Sequence, residues 1–92
     1  MVYWIDDELD ILEMVDMYFG SKIKIKTLPH CDLLPGLERG DIVIYDLVRV
    51  GDMPNKAEGV RYFSCSGSAT TPCDFPKPLD LAQILLILRA HS

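Results

Sequence analysis

Short apolar runs alternate with helix-patterned or polar segments along the chain. Residues 2–5, 41–46, 60–64 and 73–76 are four such runs, and polar side chains stand at or just after the end of each. Mostly apolar runs of this length are typical of parallel strands that are buried on both faces. The carboxyl ends of parallel strands meet at one edge of a sheet, where α/β proteins bind their ligands. The pattern therefore predicts a parallel α/β sheet with a candidate site at that edge.

Helical spacing of apolar residues predicts two strong amphipathic helices, over residues 9–19 and 79–89. Gly20 is placed to end the first helix as a left-handed C-terminal residue. Asp80 falls in the first turn of the second helix, where a negative charge favours the helix dipole. These two helices are expected to cover one face of the sheet.

The other segments carry weaker signals. Residues 22–28 alternate between polar and apolar and predict a half-exposed strand. Its three lysines would discourage the sheet edge from pairing with another chain. Residues 30–39 predict a weak helix that Pro35-Gly36 interrupts. Residues 47–59 hold two glycines and a proline and predict an irregular loop, as does the segment 67–72.

Composition narrows the class of protein. A chain of 92 residues with 49% hydrophobic content predicts a single domain, residues 1–92, with its own core. The net charge of −5 argues against a nucleic-acid surface. Three cysteines without a Cys-x-x-Cys pair predict reduced thiols in a cytoplasmic protein rather than a disulfide framework or a zinc site. The chain shows no export signal and no apolar stretch that could span a membrane.

The polar groups at the strand ends form a chemically coherent set of three carboxylates, a hydroxyl and an ammonium. In chain order they are Asp6, Asp7, Asp46, Ser64 and Lys77. Such a set suits a divalent cation beside a transferable phosphoryl group, since Mg²⁺ prefers carboxylate and phosphate oxygens. A cap for the following helix would need only one of the paired acids. Ser66 is an equal alternative to Ser64, because both lie near the strand end.

The segments VYWIDDE, DIVIYD, VRYFS and DFPKPL, in this order, resemble the receiver domain of two-component response regulators. The resemblance implies a flavodoxin-like fold, an open parallel five-stranded sheet in the order 2-1-3-4-5. It also implies that Asp6, Asp7 and Asp46 bind Mg²⁺ and that Asp46 accepts a phosphoryl group from a histidine kinase or phosphotransfer protein. Ser64 would be the switch hydroxyl that contacts that group, together with Lys77. The bond from Lys77 to Pro78 can be cis or trans.

The chain departs from the family pattern in the second half. The family places a crossover helix before and after the fourth strand, whereas residues 47–59 lack a helical stripe and too few residues separate Ser64 from Lys77. The Met-Pro pair of the family comes late, at Met53-Pro54. We therefore expect reduced helices on one face, with an extended chain over residues 65–72 in place of helix 4.

These observations lead to one preferred function and two alternatives. The preferred function is a stand-alone minimal signalling domain, not an enzyme, that accepts phosphate on Asp46. The first alternative is a pseudo-receiver that binds proteins or dimerises without phosphorylation. The second is an aspartyl-phosphate phosphatase of the haloacid dehalogenase type, which needs an Asp-x-Asp pair that this chain lacks. The thinly covered sheet face predicts a homodimer, since large exposed apolar patches usually mark interfaces.

Overall fold

A computed structural model describes residues 1–46, 57–67 and 72–91 of the chain. These residues form five strands and two α-helices. In chain order the elements are β1 (Val2–Ile5), α1 (Leu9–Phe19), β2 (Ile25–Leu28), β3 (Ile42–Asp46), β4 (Arg61–Ser66), β5 (Phe75–Pro76) and α2 (Leu81–His91). In the described part of the chain, no helix is long and apolar enough to cross a membrane.

The five strands form one sheet in the order β2-β1-β3-β4-β5, and every pairing is parallel. The predicted fold class, α/β with a flavodoxin-like sheet in the order 2-1-3-4-5, is thereby confirmed. Ile5 pairs with Tyr45, so Asp6 and Asp46 both lie one position beyond aligned residues at the carboxyl edge. This register is what brings two acids together that lie far apart in the sequence.

Both helices pack on one face of the sheet. Trp4 and Ile44 point to this face and are fully buried beneath the helices, and Phe19 of α1 lies 5.9 Å from the Trp4 ring, centroid to centroid. Val15 of α1 and Leu88 of α2 complete the contact. The apolar stripes predicted for both helices are therefore the surfaces that bury the central strands.

In the described ranges, no α-helix packs on the opposite face of the sheet. Tyr3, Ile5 and Val43 are buried here, and Leu34 and Leu37 from the segment after β2 pack against them. The extensive apolar patch that we expected on this face is thus not exposed among the described residues. Leu34 and Leu37 thus contribute to the burial of this face without belonging to a helix.

The weak helix predicted over residues 30–39 is wrong, because the structure has only a 3₁₀ turn, Cys31–Leu33. The His30 ring nitrogen Nδ1 accepts a hydrogen bond from the Asp32 backbone N–H at 3.1 Å and caps this turn. Leu34 is extended, and Pro35 disfavours a helical conformation for the residue before it. The proline therefore prevents the helix rather than interrupting it.

The second strand is shorter than the predicted span 22–28. The backbone N–H groups of Lys22 and Ile23 donate to the carbonyl of Phe19, and the Lys22 ammonium donates to the carbonyl of Tyr18 at 2.8 Å. Lys22 thus satisfies carbonyls at the end of α1 instead of guarding a sheet edge. Gly20 ends the helix as predicted, but with a right-handed φ of −57° rather than a left-handed one.

The last helix begins two residues later than predicted, at Leu81. Asp80 precedes it and accepts a hydrogen bond from the Gln83 backbone N–H at 3.1 Å, so its side chain caps the helix from outside the first turn. β4 extends to Ser66 and β5 begins only at Phe75. The predictions for residues 47–56, which include Met53-Pro54, and for residues 68–71 lie outside the described residues.

The first strand is anchored by an ion pair at the amino edge of the sheet. The Met1 ammonium lies 3.2 Å from Asp41 Oδ1, and Asp41 Oδ2 accepts the Glu38 backbone N–H at 2.9 Å. The backbone hydrogen bond and the ammonium lower the pKa of Asp41, although burial opposes them. Asp41 is therefore held as a carboxylate when the chain is folded.

We expect Asp41→Ala to destabilise the protein by about 1.5–3 kcal/mol, the usual worth of hydrogen bonds to a charged group. Because the folded pKa is lowered, this stability is present above the unfolded value of about 3.9 and is lost as the pH falls through the folded value. Urea unfolding at several pH values measures it. Glu13→Ala, at an exposed acid of α1, is the matched control. An equal loss in both variants, or a loss in Asp41→Ala that does not shrink in acid, would contradict the assignment.

Candidate functional site

The carboxyl edge of the sheet holds a three-residue ionic cluster. The Lys77 ammonium donates to Asp46 Oδ2 at 2.8 Å and to Asp6 Oδ2 at 3.0 Å. Asp6 is fully buried, Asp46 is 6% exposed, and the Lys77 side chain is 16% exposed. Three of the residues predicted from the sequence are thus in direct contact.

The fold places each member of the cluster for a local reason. Asp6 follows β1 and Asp46 ends β3, and the two strands are neighbours in the sheet. Asp6 Oδ1 also accepts the Glu8 backbone N–H at 2.9 Å, which fixes the carboxylate at the start of α1. Lys77 directly follows β5, and its peptide bond to Pro78 is cis.

Lys77 is the cation of the cluster and contacts both acids. Burial acts to lower the pKa of Lys77, but the hydrogen bonds to Asp46 and Asp6 outweigh burial and raise it above its usual value. The side chain is therefore an ammonium at any physiological pH. A single cation compensates part of the charge of two buried carboxylates.

Cys65 lies beside this cluster, since it pairs with Asp46 in the sheet register and both residues point to the same face. Burial raises the pKa of the Cys65 thiol to about 12, and the nearby acids add to this effect while Lys77 opposes it. The thiol is thus protonated at neutral pH and is a poor nucleophile. Cys65 is therefore a buried packing residue next to the acids.

Asp7 is the exposed member of the predicted metal set. One carboxylate oxygen each from Asp6, Asp7 and Glu8 lies within 4.8 Å of the others. An all-oxygen group of this kind fits Mg²⁺, which uses one or two protein carboxylates and completes its shell with water and phosphate oxygens. Asp46 is not part of this group, and Glu8 is its third member.

Ser64 is engaged away from the cluster. Its backbone N–H donates to Asp74 Oδ2 at 2.8 Å, and its hydroxyl lies 3.2 Å from the same oxygen. Ser64 pairs with Tyr45, so its side chain points to the face opposite Asp46. Ser66 ends β4 and its carbonyl accepts the Lys77 backbone N–H at 2.9 Å, which places its backbone next to the lysine. The choice between the two hydroxyls stays open.

Two residues of this region were not predicted as site residues from the sequence. Asp74 holds Ser64, and Glu8 joins the acidic group. Glu8 directly follows the paired acids, so its position at a strand end was a usable signal. Asp74 had no such signal, because its role depends on which residues of β4 and β5 lie side by side.

A second group of potential ligands, His30, Cys31 and Asp32, lies at the 3₁₀ turn. The His30 nitrogen Nδ1 caps the turn and lies 3.3 Å from an Asp32 carboxylate oxygen. Cys31 is buried with Tyr3 and Val43 on the sheet face opposite the two helices. Capping and packing therefore account for these three residues without a metal.

Comparisons with known proteins found no significant match, so the site is judged on its geometry. No family model matches the chain, and neither the curated proteins nor the solved structures include one that is significantly similar to it.

Proposed function

We propose that this protein is a minimal receiver-like signalling domain that accepts a phosphoryl group on Asp46 with the help of Mg²⁺. The observation that supports the proposal best is the Lys77 ammonium held between Asp6 and Asp46 at the carboxyl edge of a 2-1-3-4-5 sheet. Three separate strand ends supply this cluster, as the resemblance to receiver domains requires. The domain would act as a signalling element and not as an enzyme.

The proposed chemistry is a transfer to a carboxylate oxygen. Asp46 attacks the phosphorus of a phosphohistidine or a small acyl phosphate, a new P–O bond forms, and the bond from phosphorus to the donor breaks. The donor leaves with the electron pair of that bond. Lys77 would contact the transferred group as a compact cation and offset its added charge. A hydroxyl from Ser64 or Ser66 would be the switch contact.

A bound Mg²⁺ would neutralise phosphate oxygens during this transfer. Asp6 and Asp7 would hold it, with Asp46 as predicted from the sequence or Glu8 as its position in the acidic group favours. Asp7 is exposed and makes no hydrogen bond with the described residues, so its carboxylate is available to a cation.

We expect Mg²⁺ to stabilise the folded protein. At a Mg²⁺ concentration about ten times the dissociation constant, binding adds roughly 1.4 kcal/mol, which raises the melting temperature by about 6–11 °C for a domain of this size. Thermal unfolding with Mg²⁺ or with EDTA measures the shift. Asp7→Ala should reduce it, whereas Glu13→Ala, an exposed acid outside the group, should keep it. An identical shift in wild type and Asp7→Ala would refute this metal site.

The pseudo-receiver is the second candidate, and one observation favours it. Ser64 is bonded to Asp74 and points away from Asp46, so the predicted switch hydroxyl is not in the cluster. Incubation with acetyl phosphate and Mg²⁺ separates the two functions. A receiver-like Asp46 gains one phosphoryl group, whereas a pseudo-receiver gains none.

The partners and the compartment remain proposals. A histidine kinase or phosphotransfer protein would supply the phosphoryl group, and neither nucleic acid nor a membrane would be bound. Three cysteines that form no disulfide, two of them buried, support a reducing cytoplasm. The homodimer stays a prediction, but the burial of Tyr3 and Val43 removes the exposed patch that motivated it. Sedimentation equilibrium decides, since a monomer of 10.4 kDa would refute the dimer.

A further inference from the structure

A cleft of about 300 Å³ lies between β5 and α2, away from the ionic cluster. Its lining combines apolar side chains, two prolines, two acids and one amide. The lining residues are Asp74, Phe75, Pro76, Pro78, Asp80, Gln83, Ile84 and Ile87. The volume is at the lower end of the range of about 300–1,000 Å³ for small-molecule sites, and the mixture of an apolar floor with a few polar groups is typical of them.

The two acids of this cleft are held in place but not neutralised. Asp74 Oδ2 is bound by the backbone N–H and hydroxyl of Ser64, and Asp80 Oδ1 accepts the Gln83 backbone N–H. Within the described ranges, the second oxygen of each carboxylate has no hydrogen-bond partner, and neither acid has an ion pair. The cleft thus presents two fixed negative charges to solvent.

No cation among the described residues lines the cleft. Lys77 stands between the two lining prolines in the sequence, yet its ammonium is engaged by Asp6 and Asp46. The floor is formed by buried Phe75 and Ile84, and Ile87 is partly exposed beside them. A ligand that fits both the charge and the floor carries one positive group on an apolar body.

We propose that the cleft between β5 and α2 binds a small organic cation, an ammonium or guanidinium group on an aromatic or branched aliphatic body. The positive group lies between Asp74 and Asp80, and the apolar body lies on Phe75, Ile84 and Ile87. The same chemistry occurs in a free amine and in the side chain of an arginine-containing peptide. The site is independent of phosphoryl transfer on Asp46.

Phenylethylammonium is the first probe and an end-capped arginine amide is the second, because they separate the free amine from the peptide side chain. Titration followed by NMR chemical shifts should perturb the backbone signals of Phe75, Gln83 and Ile87 and give a saturating curve. Phenylethanol, which has the same body without the charge, should bind at least about tenfold more weakly.

The variants Asp74→Asn and Asp80→Asn remove one charge each, and asparagine keeps the capping ability at position 80. Each should weaken binding of the preferred probe by roughly tenfold, while melting curves confirm that both still fold. Glu13→Gln makes the same charge change on an exposed acid of α1 and should leave the affinity unchanged. Failure of both probes to bind wild type, or equal weakening in all three variants, would overturn the proposal.

Discussion

Lys77→Met is expected to destabilise the protein by about 3–5 kcal/mol, the cost of leaving a buried ion pair without one partner. The ammonium contacts Asp6 and Asp46, and both acids are almost completely buried. Methionine fills a similar volume but donates no hydrogen bond, so two carboxylates would remain without their cation. A loss of this size is a large fraction of the stability of a small domain.

The pH dependence of this effect has a defined sign. The hydrogen bonds to Asp46 and Asp6 outweigh burial and raise the pKa of Lys77 in the folded state. The resulting stability is fully present below the unfolded lysine value of about 10.4 and is lost as the pH rises through the folded value. The difference between wild type and Lys77→Met should therefore stay constant near neutral pH and shrink only in strong alkali.

Urea unfolding of two further variants controls this experiment. Lys24→Met removes an exposed lysine and should change stability by less than about 0.5 kcal/mol. In an Asp46→Asn background, Lys77→Met should cost less than in wild type, because one of the two carboxylates has gone. If Lys77→Met behaves like Lys24→Met, the ionic cluster does not exist in solution.

The sequence was sufficient to predict the convergence of Asp6, Asp46 and Lys77. Each residue ends or follows an apolar strand, and parallel strands bring their carboxyl ends to one edge whatever the loops do. The sheet order followed from the resemblance to receiver domains, and the observed pairings confirm it. For these three residues, the convergence predicted from strand ends and strand direction agrees with the contacts in the structure.

The position of Ser64 could not be predicted in the same way. Side chains alternate between the two faces of a strand, so a shift of one residue in the register exchanges the faces. The observed register aligns Cys65 with Asp46 and leaves Ser64 beside Tyr45, where Asp74 binds it. An apolar run that is buried on both faces does not indicate which residues point to which face, so tertiary packing sets the register of this strand.

The burial of the sheet face opposite the two helices also depends on tertiary contacts. Pro35 excludes a regular helix after β2, yet Leu34 and Leu37 still pack on the sheet and bury it. A helical pattern was a poor guide here, because an extended segment can present leucines to a core with a different period. We expected an exposed patch because the sequence predicts reduced helices on this face. Non-helical segments can bury a sheet face as well, so that inference does not hold.

The second large effect concerns the phosphoryl acceptor. We expect Asp46→Asn to abolish phosphorylation by acetyl phosphate, because an amide oxygen is too weak a nucleophile to displace acetate from phosphorus. The substituted asparagine keeps the size of the side chain and can still accept a hydrogen bond from Lys77, so the fold should persist. Lys77→Met should also slow phosphorylation, but only the fraction that remains folded is informative for that variant.

Intact mass spectrometry after incubation with acetyl phosphate tests the central claim most directly. With Mg²⁺, wild type should gain one phosphoryl group that hydroxylamine removes, as expected for an acyl phosphate. EDTA should prevent the gain, and Asp46→Asn should show none. The proposed function is contradicted if wild type with Mg²⁺ gains no phosphoryl group, or if Asp46→Asn gains the same hydroxylamine-sensitive group as wild type.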